Sequence, residues 1–133
     1  MFKIIICVLL LFNIYICEEP PKGIRVFQKN SKENKITVRL GEEFVLKFVN
    51  NPGFRYSWRF LNEDETKDTI KFLRSYDGEL YGRLNILGGA MNVYFQFKAI
   101  KKTKEPVALK YYYGRFMSDD KMPSFTYFKI TVQ

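Results

Sequence analysis

Histidine is absent from this 133-residue chain, and cysteine occurs only at Cys7 and Cys17. Beyond Cys17 the chain lacks the imidazole and thiolate groups on which Ser/His and Cys/His catalysis and ordinary zinc or copper sites depend. A disulfide framework is excluded there too, so stability must come from a packed core. These absences predict a small domain that uses no cofactor and no metal.

The N-terminal segment has the layout of a secretory signal peptide. Lys3 supplies a positive charge, residues 4–16 are apolar except for Asn13, and acidic residues follow at once. The apolar stretch is shorter than the ~20 residues that a membrane-spanning helix needs, so a retained anchor is the less favoured alternative. We expect residues 1–17 to be a signal peptide and residues 18–133 to be one domain. That domain would have no stable membrane insertion after cleavage, and would be secreted or reside in lysosome-like or phagosomal vesicles.

The chain is basic, with 22 Lys and Arg against 14 Asp and Glu. Removing Lys3 with the leader leaves 21 minus 14, a net charge of +7. A basic surface attracts acidic partners, although a merely solvated basic face is the alternative. No Arg-rich arm or aromatic RNP-like motif is present, so no nucleic-acid partner is predicted.

Apolar residues recur with a period of two, which predicts half-buried strands. The clearest strands are expected at 44–48, 56–60, 93–99, 107–111 and 128–132, and weaker ones at 24–27, 35–40, 69–73 and 80–84. Turn signals separate them, including Tyr76-Asp77-Gly78. Seven to nine short antiparallel strands indicate an all-β sandwich, with a closed barrel as the alternative. The polar stretch 61–72 is expected to form a surface helical turn or a loop.

Trp58, the only tryptophan, lies in the middle of a predicted strand just after a turn. Immunoglobulin-type sandwiches keep a core tryptophan at such a position. The alternation of the strand points the indole inward, so Trp58 is predicted to be a core residue rather than a binding residue.

The segment 49–58 resembles the first signature of chagasin-type inhibitors of cysteine proteases, which reads Asn-Pro-Thr-Thr-Gly, then an aromatic, one residue and Trp. Four residues keep the spacing of that signature: Asn51, Pro52, Tyr56 and Trp58. Gly53, Phe54 and Arg55 stand where the family has Thr-Thr-Gly. The frame of the loop is therefore kept and its tip is changed.

Two further signatures follow in the expected order. Gly-x-Gly-Gly is similar to residues 86–89, which retain Gly88 and Gly89. Arg-Pro-Trp is similar to Arg115-Phe116, where the proline is missing, and an alignment without a gap would place residues 113–115 there instead. The resemblance spans residues 35–132, nearly the whole expected domain.

The resemblance implies an immunoglobulin-like β-sandwich whose three loops at one end block the active-site cleft of a papain-like (cathepsin-like) cysteine protease. It implies reversible inhibition by a monomer that is not itself an enzyme. The implied protease-binding residues are Asn51, Pro52, Gly53, Phe54, Arg55, Leu87, Gly88, Gly89, Ala90, Gly114, Arg115 and Phe116.

The residue types of these loops are compatible with such a role. Pro52 and Gly53 favour a tight, stiff turn, and a stiff loop loses little entropy on binding. Phe54 at the tip would be an interface anchor, unless it folds back over the sandwich end. Gly88-Gly89 would allow close approach of the backbone to a partner, or would form an ordinary hairpin turn. Arg115-Phe116 would add a hot spot, or would form a solvated hairpin tip.

Two other functions are compatible with the sequence. A secreted adhesion or carbohydrate-binding module would present a row of exposed tyrosines, Tyr94, Tyr112 and Tyr127, on one sheet face. An enzyme would need two carboxylates close together. The acidic residues Glu63, Asp64, Glu65 and Asp68 instead cluster in one polar stretch that is expected to be solvated.

Overall fold

The computed structural model describes residues 5–9, 13–30, 32–50, 56–81, 90–115 and 124–133. The elements in these residues are β1 (Ile5–Leu9), β2 (Asn13–Cys17), β3 (Arg25–Gln28), β4 (Glu33–Val38), β5 (Glu43–Asn50), β6 (Tyr56–Phe60), α1 (Glu63–Thr66), β7 (Ile70–Tyr81), β8 (Ala90–Ala99), β9 (Val107–Arg115) and β10 (Ser124–Val132). Strands β1 and β2 pair with each other, inside the segment predicted to be a signal peptide. That assignment stays a prediction.

Strands β3 to β10 form two four-stranded sheets, in the orders β4-β10-β9-β6 and β3-β5-β8-β7. The immunoglobulin-like β-sandwich predicted from the sequence is confirmed. Six of the eight strands pair antiparallel with a neighbour, while the edge strand β4 runs parallel to β10 and the edge strand β3 runs parallel to β5. The consecutive strands β3 and β4 belong to different sheets and therefore do not form a hairpin with each other.

One turn predicted from the sequence is wrong. The expected strands at 69–73 and 80–84 are largely one continuous strand, β7, and Tyr76-Asp77-Gly78 lies inside it. The pairing of β7 with β8 shifts between Asp77 and Leu80, so the irregularity is taken up by a β-bulge rather than by a reversal. Gly78 has a packing role there, because the position of its missing Cβ is 2.8 Å from the ring of Tyr94.

The main core lies between the sheets and is largely aromatic. The ring of Phe48 is 4.5 Å from that of Tyr111, 4.8 Å from Trp58, 5.4 Å from Phe95 and 5.6 Å from Phe128, measured between centroids. These partners come from both sheets, so one side chain joins the two layers. Aromatic pairs at such distances add to the free energy of burial, which compensates for the lack of a disulfide beyond Cys17.

Tyr111 is a polar exception within this core. It is fully buried, and its hydroxyl has no hydrogen-bond partner among the described residues. Burial raises the pKa of this phenol well above its usual value, because the charged form would lose its hydration. An unsatisfied buried hydroxyl costs about 1 to 3 kcal/mol.

Replacing Tyr111 with Phe removes that unsatisfied hydroxyl and keeps the ring. We expect Tyr111→Phe to raise the free energy of unfolding by about 1 kcal/mol in urea denaturation. Tyr76→Phe is the matched control, since the Tyr76 hydroxyl donates to Gln96 Oε1 at 3.1 Å and its loss should destabilise the domain. Equal destabilisation by both variants would contradict this account of Tyr111.

A second apolar cluster lies on the outer face of the β3-β5-β8-β7 sheet. Val45, Tyr76 and Tyr94 are buried there, and Ile24 packs against them. Burial raises the pKa of Tyr76 to about 12. The cluster exists because the chain just before β3 lies across this face, which would otherwise expose two tyrosine rings.

The covering segment is held by polar contacts as well. Glu18 donates its backbone N–H to the carbonyl of Asp77 at 3.0 Å, and its carboxylate pairs with Arg74. The Tyr94 hydroxyl donates to Glu19 Oε2 at 3.4 Å. The residues that directly follow the predicted leader are therefore an integral part of the fold.

Ile24→Ala tests the contribution of the covering segment. Because the side chain is half-buried against the second cluster, we expect a loss of about 1 kcal/mol in the free energy of unfolding. Val26→Ala, in the neighbouring strand, is the control, since Val26 is 42% exposed and should change stability by less than about 0.5 kcal/mol. Similar losses in urea denaturation of the two variants would show that the segment does not seal a second core.

Candidate functional site

The strand ends that flank the three implicated loops lie at one end of the sandwich, which we call the loop pole. In the sheet that contains β5, Asn50 is opposite Met91 and Tyr81 is opposite Ala90. In the other sheet, Tyr56 is opposite Arg115. Residues 51–55 and 82–89 leave from these ends, and residues 116–123 join Arg115 to the adjacent start of β10. A wedge of three loops requires this convergence.

Most of the residues predicted to bind the protease lie in the loops themselves. The following lie outside the described residues: Asn51, Pro52, Gly53, Phe54, Arg55, Leu87, Gly88, Gly89 and Phe116. Ala90 opens β8 opposite Tyr81, and Gly114 and Arg115 close β9. The structure therefore describes the strand ends from which the loops leave. The assignment of loop residues as protease contacts stays a prediction.

The third loop begins later than the sequence indicated. Residues 113–115 were expected in a loop or hairpin tip, whereas β9 continues through Arg115 and pairs with β6 to its end. Gly114 is a buried strand residue opposite Ser57, and the Tyr112 ring occupies the space that a Cβ on Gly114 would need. Gly114 thus serves the packing of the strand end that carries Arg115.

The base of the first loop is closed by Asn50 and Trp58, which lie on either side of residues 51–55. Asn50 is 8% exposed, and its Oδ1 accepts a hydrogen bond from the Trp58 backbone N–H at 3.2 Å. The indole Nε1 of Trp58 donates to the Val49 carbonyl at 3.1 Å. Two bonds therefore fix the two ends of the loop relative to each other. We call this arrangement the Asn50–Trp58 clamp.

Aromatic contacts join the clamp to β9, the strand that leads into the third loop, and to the core. The Trp58 ring stacks on Tyr113 with centroids 4.8 Å apart, and it packs on Phe48 at the same distance. The Lys29 ammonium lies 5.0 Å from the indole centroid. Trp58 was predicted to be a core residue, and it is half-buried and packs against the core cluster. Its indole also contacts residues at the bases of two loops.

Sequence reasoning did not identify Asn50 or Tyr113 as supports of the site. The available signals were an Asn immediately before the Asn-Pro pair and an aromatic residue near the end of a strand. Both patterns are common in sequences, and neither predicts which residue of a neighbouring strand will contact Asn50 or Tyr113. Only the pairing of β6 with β9 brings Tyr113 to Trp58.

The acidic side chains of the described part of the chain do not gather into a metal centre. Within that part, no group of three or more His, Cys, Asp or Glu side chains could hold a metal ion. Glu63, Asp64 and Glu65 form the exposed first turn of α1, as expected for a solvated helical turn, and Asp68 is exposed as well. No helix in the described ranges is long and apolar enough to cross a membrane.

The row of tyrosines that an adhesion or carbohydrate module would present does not exist. Tyr94 lies in the β3-β5-β8-β7 sheet and is 4% exposed. Tyr112 and Tyr127 lie in the other sheet. The three residues therefore share no face, and the observation that would have favoured that module is missing.

The arrangement is an immunoglobulin-like sandwich whose three implicated loops leave from one pole, and several solved structures share its fold. The cysteine protease inhibitor EhICP2 from Entamoeba histolytica matches with a TM-score of 0.64 at 14% identity, over 85% of this chain and 100% of that one. Amebosin matches with a TM-score of 0.56 at 16% identity, over 83% and 98% of the two chains. PbICP-C, solved in complex with falcipain-2, matches with a TM-score of 0.53 at 20% identity, over 82% and 99%.

These likenesses show a shared fold, and they agree with the chagasin-type resemblance of the loop motifs. The structural neighbours include a cysteine protease inhibitor and a protein bound to a partner, and none is described as an enzyme. No family model and no curated protein matches the chain.

Asn50→Ala tests the clamp. The change leaves the Trp58 N–H without its acceptor at a half-buried position, so we expect a loss of about 1 to 2 kcal/mol in the free energy of unfolding. Asn30→Ala is the control, because Asn30 is exposed and uses only its backbone N–H to reach Asn34. If urea denaturation gives the same midpoint for Asn50→Ala as for the parent protein, the clamp does not hold the loop base.

Proposed function

We propose that the domain is a reversible inhibitor of papain-like, cathepsin-like cysteine proteases, and that its three loops at the loop pole block the active-site cleft. The observation that carries the proposal is the convergence of the flanking strand ends at one end of the sandwich. The loop motifs arrive there in the order of the chagasin-type signatures. The shared fold with EhICP2 supports the same reading.

The physical basis of inhibition is a preformed wedge. A papain-like cleft accommodates an extended peptide, so a blocking element must be narrow and must resist being drawn out as a substrate strand. The Asn50–Trp58 clamp fixes both ends of residues 51–55, and Pro52 restricts the turn between them. Little conformational entropy then remains to be lost on binding.

In this proposal the residues at the loop tips make the contacts with the protease. Phe54 would be the aromatic anchor within the cleft, and Arg55 would add a cation beside it. Gly88 and Gly89 would let the second loop approach the rim of the cleft, and Arg115 with Phe116 would contact the opposite rim. Because all three loops belong to one domain, a single monomer is sufficient for the inhibitor.

The place of action follows from the predicted leader. A secreted domain, or one delivered to lysosome-like or phagosomal vesicles, would meet papain-like proteases in the compartments where they act. Its stability without disulfides rests on the aromatic core, which does not depend on the redox state of the compartment.

Titration of papain or a cathepsin-like protease with the purified domain tests the proposal directly. We expect reversible inhibition without cleavage of the domain. Activity assays measure the inhibition, and gel analysis shows whether the domain is cleaved. Phe54→Ala should weaken inhibition by about 1 to 3 kcal/mol, or roughly 5-fold to 150-fold in the inhibition constant. Leu61→Ala should leave the constant unchanged, because Leu61 is 46% exposed at the end of β6 remote from the loop pole.

A Gly89→Arg variant separates the wedge from the fold. A long side chain at this position should obstruct approach of the second loop to the cleft, while the folded domain retains its unfolding midpoint. If Phe54→Ala and Gly89→Arg both inhibit like the parent protein, the loops do not form the inhibitory surface.

A further inference from the structure

Two aromatic pairs lie along the inner face of the β6–β9 ladder. Trp58 is directly opposite Tyr113, and Phe60 is directly opposite Tyr111. Both pairs are stacked at an interplanar angle of 27°, with centroids 4.8 Å and 5.4 Å apart. Tyr111 is fully buried and Tyr113 is half-buried, so the Trp58 pair is the one nearer to the loop pole.

The direction of the Trp58 N–H explains the close approach of its ring to Tyr113. This N–H donates to Asn50 Oδ1 and therefore points away from β9. The Leu61 N–H, three residues further along, donates to the Lys110 carbonyl of β9, as strand alternation requires. In an antiparallel ladder, opposite residues whose N–H groups point outward form a non-hydrogen-bonded pair, in which the side chains approach most closely. The Tyr113 ring thus lies directly against the indole.

Trp58 also connects the two sheets at the base of the first loop. The end of the first loop and the start of the third are tied by the β6–β9 ladder, where Tyr56 is opposite Arg115. The start of the first loop belongs to β5, which is a strand of the other sheet. The indole Nε1 reaches that strand by donating to the Val49 carbonyl at 3.1 Å. The orientation of the indole therefore decides whether this cross-sheet bond is made.

Three neighbours of the indole differ in how they can fix its orientation. Phe48 is a core residue of β5 itself, so its contact does not reach another loop. Lys29 places its ammonium 5.0 Å from the indole centroid, but Lys29 is exposed, and an exposed cation–π contact is weak. Tyr113 is half-buried, stacked on the indole, and part of the strand that leads into the third loop. It is therefore the neighbour that links the indole to a different loop.

We propose that Tyr113 is a positioning residue for the first loop, an inference that rests on the proposed inhibitory function. The Tyr113 ring holds the indole plane, the indole keeps its bond to the Val49 carbonyl, and that bond fixes the start of residues 51–55 relative to β9. Without the ring, the indole is free to adopt another rotamer and to lose the bond. The loop must then be ordered when the protease binds, which costs affinity. Tyr113 acts in this way without touching the protease.

A purely structural role would make Tyr113 equivalent to other half-buried tyrosines of the same sheet. Tyr127 is the matched control, because it is half-buried and lies on β10, which β9 separates from β6. It alternates with the buried residues Thr126 and Phe128, so its side chain lies on the outer face of the sheet. Removing its ring should lower stability without changing the indole.

The test compares Tyr113→Leu, Tyr113→Phe and Tyr127→Leu in the secreted protein. Trp58 is the only tryptophan, so its Nε1–H gives a single indole signal in NMR, and hydrogen exchange of that signal reports on the Val49 bond. We expect Tyr113→Leu to accelerate indole exchange about tenfold and to weaken inhibition of papain about tenfold. Tyr113→Phe keeps the stacked ring and should give parent values in both measurements. Tyr127→Leu should also give parent values, although its unfolding midpoint in urea should fall about as far as that of Tyr113→Leu.

Several results would overturn the proposal. Unchanged indole exchange in Tyr113→Leu would mean that the ring does not hold the indole, and faster exchange with parent-like inhibition would mean that the indole bond does not position the loop. Equal weakening of inhibition by Tyr127→Leu would mean a general effect of stability. Equal weakening by Tyr113→Phe would mean that the hydroxyl acts rather than the stacked ring. If the parent protein does not inhibit papain, the inhibitor proposal fails, whereas indole exchange still decides whether Tyr113 holds the Asn50–Trp58 clamp.

Discussion

Phe48 sits at the contact on which most of this structure depends. Its ring touches Trp58, Tyr111 and Phe128 of one sheet and Phe95 of the other. Beyond Cys17 no disulfide can join the layers, so packing of this kind has to hold them together. Phe48 also precedes Asn50 by two residues on the same strand. The packing that joins the sheets therefore also fixes where the first loop begins.

The three surfaces of the sandwich have different physical characters. One outer face is covered by residues 18–24, which bury Val45, Tyr76 and Tyr94 beneath them. The opposite outer face carries lysines beside the half-buried rings of Tyr112, Phe125 and Tyr127. The loop pole is the third surface, where the flanking strand ends of both sheets lie together.

Sequence patterns predicted the structure best where a feature depends only on neighbouring residues in the chain. Alternation located β5, β6 and β8 well, because the period of two is a property of the strand itself. The turn signal at Tyr76-Asp77-Gly78 failed because Gly78 is needed under the Tyr94 ring of the next strand. Likewise, Tyr94, Tyr112 and Tyr127 look alike in sequence, and only sheet membership separates the buried Tyr94 from the two half-buried tyrosines of the other sheet.

The sequence by itself determined the all-β class, the sandwich, the inward direction of Trp58 and the order of the three loop motifs, since each depends on local alternation, turn residues and spacing. Tertiary structure alone decided the parallel edges, the Asn50–Trp58 clamp and the cover over the second cluster. The reason is that alternation states which side of a strand is apolar but not which strand will lie beside it. Neighbours in a sheet are chosen by packing between segments far apart in the chain, and that choice also decides which side chains share a surface.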